Sequence, residues 1–202
     1  MSRATLAAAG VLFLLYPAVR PWHDETTATG AFASMGSTAW IASHLFAMIG
    51  FILVPLGLLA LRDRIGLGPV VTAWVGAGLT LPYYGAEDFG LHGADTAGSR
   101  ESLLAVADAV RFQAVPATMF AVGLLTLGVG AVWVAVALWR TEARYAAVVF
   151  AAGFALFVPQ FYLPPAARIA HGVLMLAGCV WLGLATHRQQ APTRQLSGQG
   201  AA

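Results

Sequence analysis

Two adjacent acids, Glu87 and Asp88, stand in the stretch "LPYYGAEDFGLHGAD", Leu81 to Asp95, with His92 four residues after the second. Hydropathy still places this stretch inside a membrane helix. On a helix, Tyr84, Asp88 and His92 fall at every fourth position and form one stripe; Tyr83 and Glu87 form its neighbour. A carboxyl held there is partly desolvated, which disfavours its charged form, and a second carboxyl beside it adds to the effect. One of the pair is then expected to keep its proton near neutral pH, as a general acid must. The plainer alternative leaves both ionised at headgroup level, in water. Adjacent helical residues point about 100° apart, so only one of the two is expected to face a cavity directly.

Other polar side chains need the same double reading. His44 follows Trp40 by four residues, and His171 follows Arg168 by three. With His92 and Asp88 they offer a ligand set for zinc or haem. No H-x-x-x-H, C-x-x-C or H-E-x-x-H spacing accompanies them, so an orienting hydrogen bond is the simpler role for each. Asp108 and Arg111 are spaced for a local salt bridge on a helix. Asp24 and Glu25 fall in a Thr-, Ala- and Gly-rich loop running to about Gly36. That loop either sits in solvent or folds over a site as a lid. The aromatic residues Trp40, Tyr83, Tyr84, Phe89, Phe112, Phe161 and Tyr162 group with these polar residues. Such residues commonly form an interfacial belt, but inward-facing rings also stabilise cations.

The elements that must position these groups are membrane helices. The chain has 202 residues, 59% hydrophobic and 10% charged, far below the quarter or so of charged residues in soluble domains. Several apolar runs approach or pass the length that crosses a hydrocarbon core. The pattern predicts an all-α, polytopic membrane helix bundle, a single domain over 1–188. Six spans are expected, near Thr5–Val19, Thr38–Leu61, Gly68–Leu91, Ala114–Trp139, Tyr145–Leu163 and Ala166–Thr186. Ser37 or Thr38 is the expected N-cap of the second, and Pro82 is expected to kink the third. "ESLLAVADAVR", Glu101 to Arg111, is too polar to span; it reads as an interfacial helix or a tilted extension of the fourth span. Residues 189–202 are polar and are expected to be a disordered tail. The first run is read as a retained helix rather than a signal peptide.

Every basic side chain is Arg. Arg3, Arg62, Arg64, Arg140, Arg144, Arg188 and Arg194 fall on one side of the six spans; Arg20, Arg100, Arg111 and Arg168 fall on the other. The positive-inside bias puts both termini in the cytoplasm. All acids except Asp63 and Glu142, and all histidines except His187, then gather toward the outer end. Gln113, Gln160 and Trp22 join them. Such convergence is the pattern of a polar site held at one membrane face. The net charge of +2 calls for no nucleic acid, and the single Cys179 excludes an internal disulfide. No phosphate-binding Gly-rich loop, paired Asp motif or Ser nucleophile motif is present, which disfavours ionisation of a diphosphate.

In size, helical organisation and the mid-chain acids of "YYGAEDFGLH", the chain resembles the small integral membrane terpene cyclases, particularly the bacterial indole-terpenoid (drimentine-type) ones. The resemblance implies proton-initiated cyclisation of a prenyl or farnesyl chain in a bacterial cytoplasmic membrane. The substrate would be lipophilic, carrying an indole in that group, and neither metal nor redox cofactor would be required. Carried over, Glu87 and Asp88 match the acids. The late-helix acid of fungal relatives has no counterpart, since the sixth span offers Arg168 and His171 instead; Asp108 or a loop acid would have to fill that role. His92 would orient the acid, His44 or His171 would take the final proton, and the aromatic residues with Gln113 and Arg168 would hold the substrate. The alternatives are a His-dependent metal or haem enzyme and a non-enzymatic membrane ligand-binding protein.

Overall fold

The computed structural model describes residues 2–97 and 100–188, and among these the chain is helical with no strand. The tail expected over 189–202 lies outside the described residues. The long elements are α1 (Ser2–Val19), α3 (Thr38–Leu59), α5 (Gly68–Gly85), α8 (Ala114–Ala137) and α10 (Pro165–Arg188). Shorter ones are α2 (Ala28–Met35), α4 (Arg62–Ile65), α6 (Leu91–Thr96), α7 (Arg100–Phe112) and α9 (Arg144–Ala155). The helix α5 runs into a π turn, Ala86–Gly90, before α6 begins, and a 3-10 turn covers Pro159–Tyr162.

Among the described residues, three helices are long and apolar enough to cross a membrane: Thr38–Leu59, Ala114–Ala137 and Pro165–His187. Shorter apolar helices cover Arg3–Val19 and Arg144–Ala155. The expected fifth span, Tyr145 to Leu163, is not one helix. Its helix stops at Ala155, and twelve residues rise only about 18 Å. The cause lies in Pro159, which has no N–H to return to the Ala155 carbonyl. The chain tightens there, with the amides of Phe157 and Phe161 bonding to the carbonyls of Phe154 and Val158. At the other end of the pattern, the Ser37 hydroxyl caps α3 by accepting the Trp40 amide at 3.1 Å.

The longer helices pack in chain order as a ring. α1 lies between α3 and α10, α5 between α3 and α8, and α9 between α8 and α10. The middle is filled by phenylalanines from different elements: Phe13 meets Phe51 edge-on at 5.0 Å and Phe154 at 5.8 Å, and Phe51 lies 5.2 Å from Phe157. Such pairs add about 0.5–1.5 kcal/mol each beyond their buried area. Glycines set the tightest seam. A Cβ at Gly123 on α8 would meet Thr80 Oγ1 at 2.5 Å and the Gly76 carbonyl at 2.9 Å on α5, so those backbones approach as only small residues allow.

One end of the ring carries a cap with its own small core, made by Ala31 and Met35 of α2, Leu91 of α6 and Leu103 and Ala107 of α7, closed on Trp40. The Thr-, Ala- and Gly-rich stretch is thus partly helical. Thr27 caps α2 by accepting the Gly30 amide at 3.1 Å. Asp24 closes the turn before it, where the hydroxyl and then the amide of Thr26 hold its carboxyl below the usual pKa. The polar run after Glu101 forms α7, a helix separate from α8 because Gln113 is extended, at ψ 140°.

Candidate functional site

Under the cap is a partly open cavity of about 520 Å³. Tyr16 and Arg20 reach it from α1, Glu25 from the loop, Tyr83 from α5 and Glu87 from the π turn. Arg111 and Phe112 come from the end of α7, and Ala117, Phe120, Ala121 and Leu124 from α8. Val158, Phe161 and Tyr162 contribute from the turn after α9, and Arg168 from α10. One face is therefore charged, the other aromatic and aliphatic.

The charged face is a chain of ion pairs. Arg20 Nη2 donates to Glu25 Oε1 at 2.7 Å. The other oxygen of Glu25 accepts from Arg111 Nη2 at 2.8 Å, and Arg111 Nε donates to Glu87 Oε1 at 2.9 Å. Burial works against the Arg111 charge, but Glu87 and then Glu25 outweigh it and raise its pKa above the ordinary arginine value. Beneath the chain, Trp40 offers its ring face to the Arg20 guanidinium at 4.8 Å and to that of Arg111 at 5.9 Å. Its indole N–H donates to the Glu87 carbonyl at 3.3 Å. That bond joins α3 to the π turn, a local widening of the helix found frequently at functional sites.

The two stripes of this segment separate cleanly. Tyr83 and Glu87 line the cavity, Tyr83 stacked on Phe120 at 4.1 Å. Tyr84, Asp88 and His92 turn inward. The Tyr84 ring is buried against Phe51, His44 and Tyr16. Asp88 is fully buried, and neither carboxyl oxygen has a hydrogen-bond partner among the described residues. His92 Nδ1 bonds to the Met35 carbonyl at 2.8 Å, tying α6 to α2. Pro82 sits inside α5; the irregularity expected at it appears four residues later as the π turn.

Six of the expected site residues meet in the cavity wall: Tyr83, Glu87, Phe112, Phe161, Tyr162 and Arg168. Phe112 and Tyr162 stand at its mouth, 75% and 87% exposed. Trp40 and His44 lie just behind the wall. His44 Nδ1 is 2.9 Å from the Trp40 carbonyl, which makes it the donor and leaves Nε2 buried without a partner among the described residues. His171 is elsewhere, its Nε2 on the Gly153 carbonyl at 2.8 Å and its ring edge-on to Phe157. Phe89, Asp108 and Gln113 are exposed and outside the wall.

One expectation is corrected. Asp108 does not pair with Arg111, because Arg111 turns into the cavity to two less hydrated carboxylates. The histidines do not assemble a metal site: each has its own backbone carbonyl, and no three His, Cys, Asp or Glu side chains converge among the described residues. Tyr16, Arg20, Arg111 and Phe120 are site residues that the acid-centred reading of the sequence passed over, while Glu25 is the loop acid it had kept as a candidate. The available signal was the sign of the charge, since arginines stand among acids at the end opposite the Arg-rich turns. Searches against protein families, curated proteins and solved structures find no match for this chain.

Proposed function

We propose that this protein is an integral membrane terpene cyclase with six spanning segments, acting on the prenyl chain of a lipophilic substrate by proton-initiated carbocation chemistry. The observation that carries the proposal is one cavity in which a carboxylate, Glu87, faces a wall of aromatic rings, while the adjoining carboxyl, Asp88, is buried with no hydrogen-bond partner among the described residues. Its volume of about 520 Å³ falls in the range of small-molecule sites.

The two acids divide the work. A buried carboxylate without a partner costs far more than the buried acid, so Asp88 is the proton carrier. Glu87, paired with Arg111, stays charged and faces the cation. Proton donation brings the carboxyl of Asp88, which adjoins Glu87 in the π turn, to the substrate. Its O–H proton then adds to the terminal alkene and leaves a tertiary cation, which the next double bond attacks to close a ring. Tyr16, Tyr83, Phe120 and Phe161 stabilise the charge through their ring faces. Loss of a neighbouring C–H proton to a basic group restores the alkene. The reaction is an isomerisation with no net change in protons or electrons.

The test is incubation of membranes containing the protein with a farnesylated indole, with products separated by retention time and assigned by NMR, because cyclisation leaves the mass unchanged. Asp88→Asn is expected to abolish turnover in a folded protein. Glu87→Gln is expected to lower it by about 10²-fold, the scale of one lost electrostatic contact to a transition state. Full activity in both variants removes the acid chemistry.

A further inference from the structure

The charges in the cavity do not balance. Arg20, Arg111 and Arg168 face Glu25 and Glu87, and both carboxylates are taken by Arg20 and Arg111. Arg168 is 8% exposed, and among the described residues its polar partner is neutral: its Nε donates to Gln160 Oε1 at 3.1 Å. Its guanidinium lies between the rings of Trp22, at 4.7 Å, and Phe161, at 5.2 Å. The Arg20 guanidinium is 5.0 Å from the same Trp22 ring. Two like charges thus flank one indole, and one of them has no counter-charge.

Two N–H donors on the residues around Arg168 and Trp22 add to this. Among the described residues, Arg20 Nε is buried without a partner, and so is Gln160 Nε2. The bond from Arg168 fixes the Gln160 amide with its oxygen toward the guanidinium, so the unfilled atom is the NH₂ donor. Both vacant positions are N–H donors, and a buried charge without a partner is strongly unfavourable. An oxyanion in the cavity supplies the counter-charge that Arg168 lacks, and arginines bind phosphate through paired, charge-assisted hydrogen bonds. Beyond the guanidinium, the wall becomes Phe161, Val158, Phe120 and Leu124, which suits an apolar chain and not a second charge.

We propose that Arg168, positioned by Gln160 and sharing the cavity wall with Arg20, is the seat of an oxyanion head, a phosphate group, on an amphiphile whose apolar tail lies along the aromatic wall. The site rests on the cyclase proposal only for what the tail then does. It names the substrate class as a prenyl chain with an anchored anionic head, held by the arginines and not ionised.

The experiment is equilibrium binding to the full chain in phosphatidylcholine nanodiscs, with farnesyl phosphate and farnesol as probes. Farnesyl phosphate is expected to bind at least about tenfold more tightly than farnesol, the scale of one charge-assisted contact. Arg168→Gln should bring that ratio to about one, while Arg168→Lys, which keeps the charge and loses the fork, should fall between. Circular dichroism confirms that both variants fold. Phosphatidic acid added to the nanodiscs separates the sources: Arg168-dependent competition assigns the head to a bilayer lipid, and lack of competition assigns it to a prenyl phosphate. Equal binding of the two farnesyl probes, no binding of either, or an unchanged ratio in Arg168→Gln overturns the proposal. With farnesyl phosphate added as a substrate to the cyclisation assay, head-group preference without cyclisation removes the cyclase and leaves the anion site; cyclisation without preference does the reverse.

Discussion

Arg111 joins two carboxylates that are far apart in the chain, Glu25 and Glu87, with bonds of 2.8 and 2.9 Å. It is therefore the side chain that fastens the loop after α1 to the π turn. All four members of the ion-pair chain are shielded, with side-chain exposures of 7–18%. Removing Arg111 leaves Glu87 as an uncompensated shielded charge, while Glu25 keeps its bond to Arg20. Arg111→Gln is expected to destabilise the protein by about 3 kcal/mol, measured by denaturant titration in detergent or nanodiscs. Adding Glu87→Gln to that variant should cost less than the sum of the two single effects, because the second change removes a charge already orphaned. Additive effects would show that the pair does not couple. Arg111→Lys is not expected to rescue, since a lysine cannot present two nitrogens along the guanidinium edge.

Helix contacts in this protein are set by where small residues stand. The backbones of α5 and α8 meet at Gly76 and Gly123, whereas a Cβ at Gly85, next to the π turn, would have nothing within 4 Å. Gly123→Ala should therefore destabilise the bundle by about 1–3 kcal/mol through overpacking. Gly85→Ala should be neutral, or stabilising by up to about 1 kcal/mol from helix propensity. Thermal unfolding followed by circular dichroism distinguishes the two, and equal losses would show that the seam is not the determinant. The π turn works at the same scale. It lets Glu87 face the cavity while its carbonyl accepts the Trp40 indole, so one turn of helix carries both the charge and its anchor to α3.

For the whole molecule, polar chemistry collects at one end of a ring of apolar helices. Arg62, Asp63 and Arg64 stand in α4, between α3 and α5, and Arg140, Glu142 and Arg144 stand around the turn between α8 and α9. The cap and cavity form between other helix ends. A six-span topology with cytoplasmic termini puts Asp63 inside and Asp108 outside. A cysteine at each tests this with a membrane-impermeant maleimide, because the native Cys179 is buried, 1% exposed, and should stay silent. Asp108→Cys should label in intact cells and Asp63→Cys only after permeabilisation. The opposite pattern inverts the topology, and labelling of both in intact cells breaks it.

Much of this was legible in the chain itself because it depends on local periodicity and composition. Apolar runs placed α3, α8 and α10 to within a few residues, Ser37 marked an N-cap, and a polar amphipathic run marked α7. The gathering of acids and histidines at one set of helix ends pointed to the site, and the i, i+4 spacing of Tyr83 with Glu87 put them on one stripe. What tertiary structure decided was partnership. Whether Glu87 or Asp88 meets the cavity depends on how α5 is rotated against α3 and α8, and packing at Gly76 and Gly123 sets the second of these contacts. Whether Arg111 serves Asp108 or Glu87 depends on which carboxylate is withdrawn from water. Glu25 becomes a site residue only because α2, α6 and α7 share a small core that folds the loop over. Such choices are set by contacts between residues distant in sequence, and no spacing along the chain encodes them.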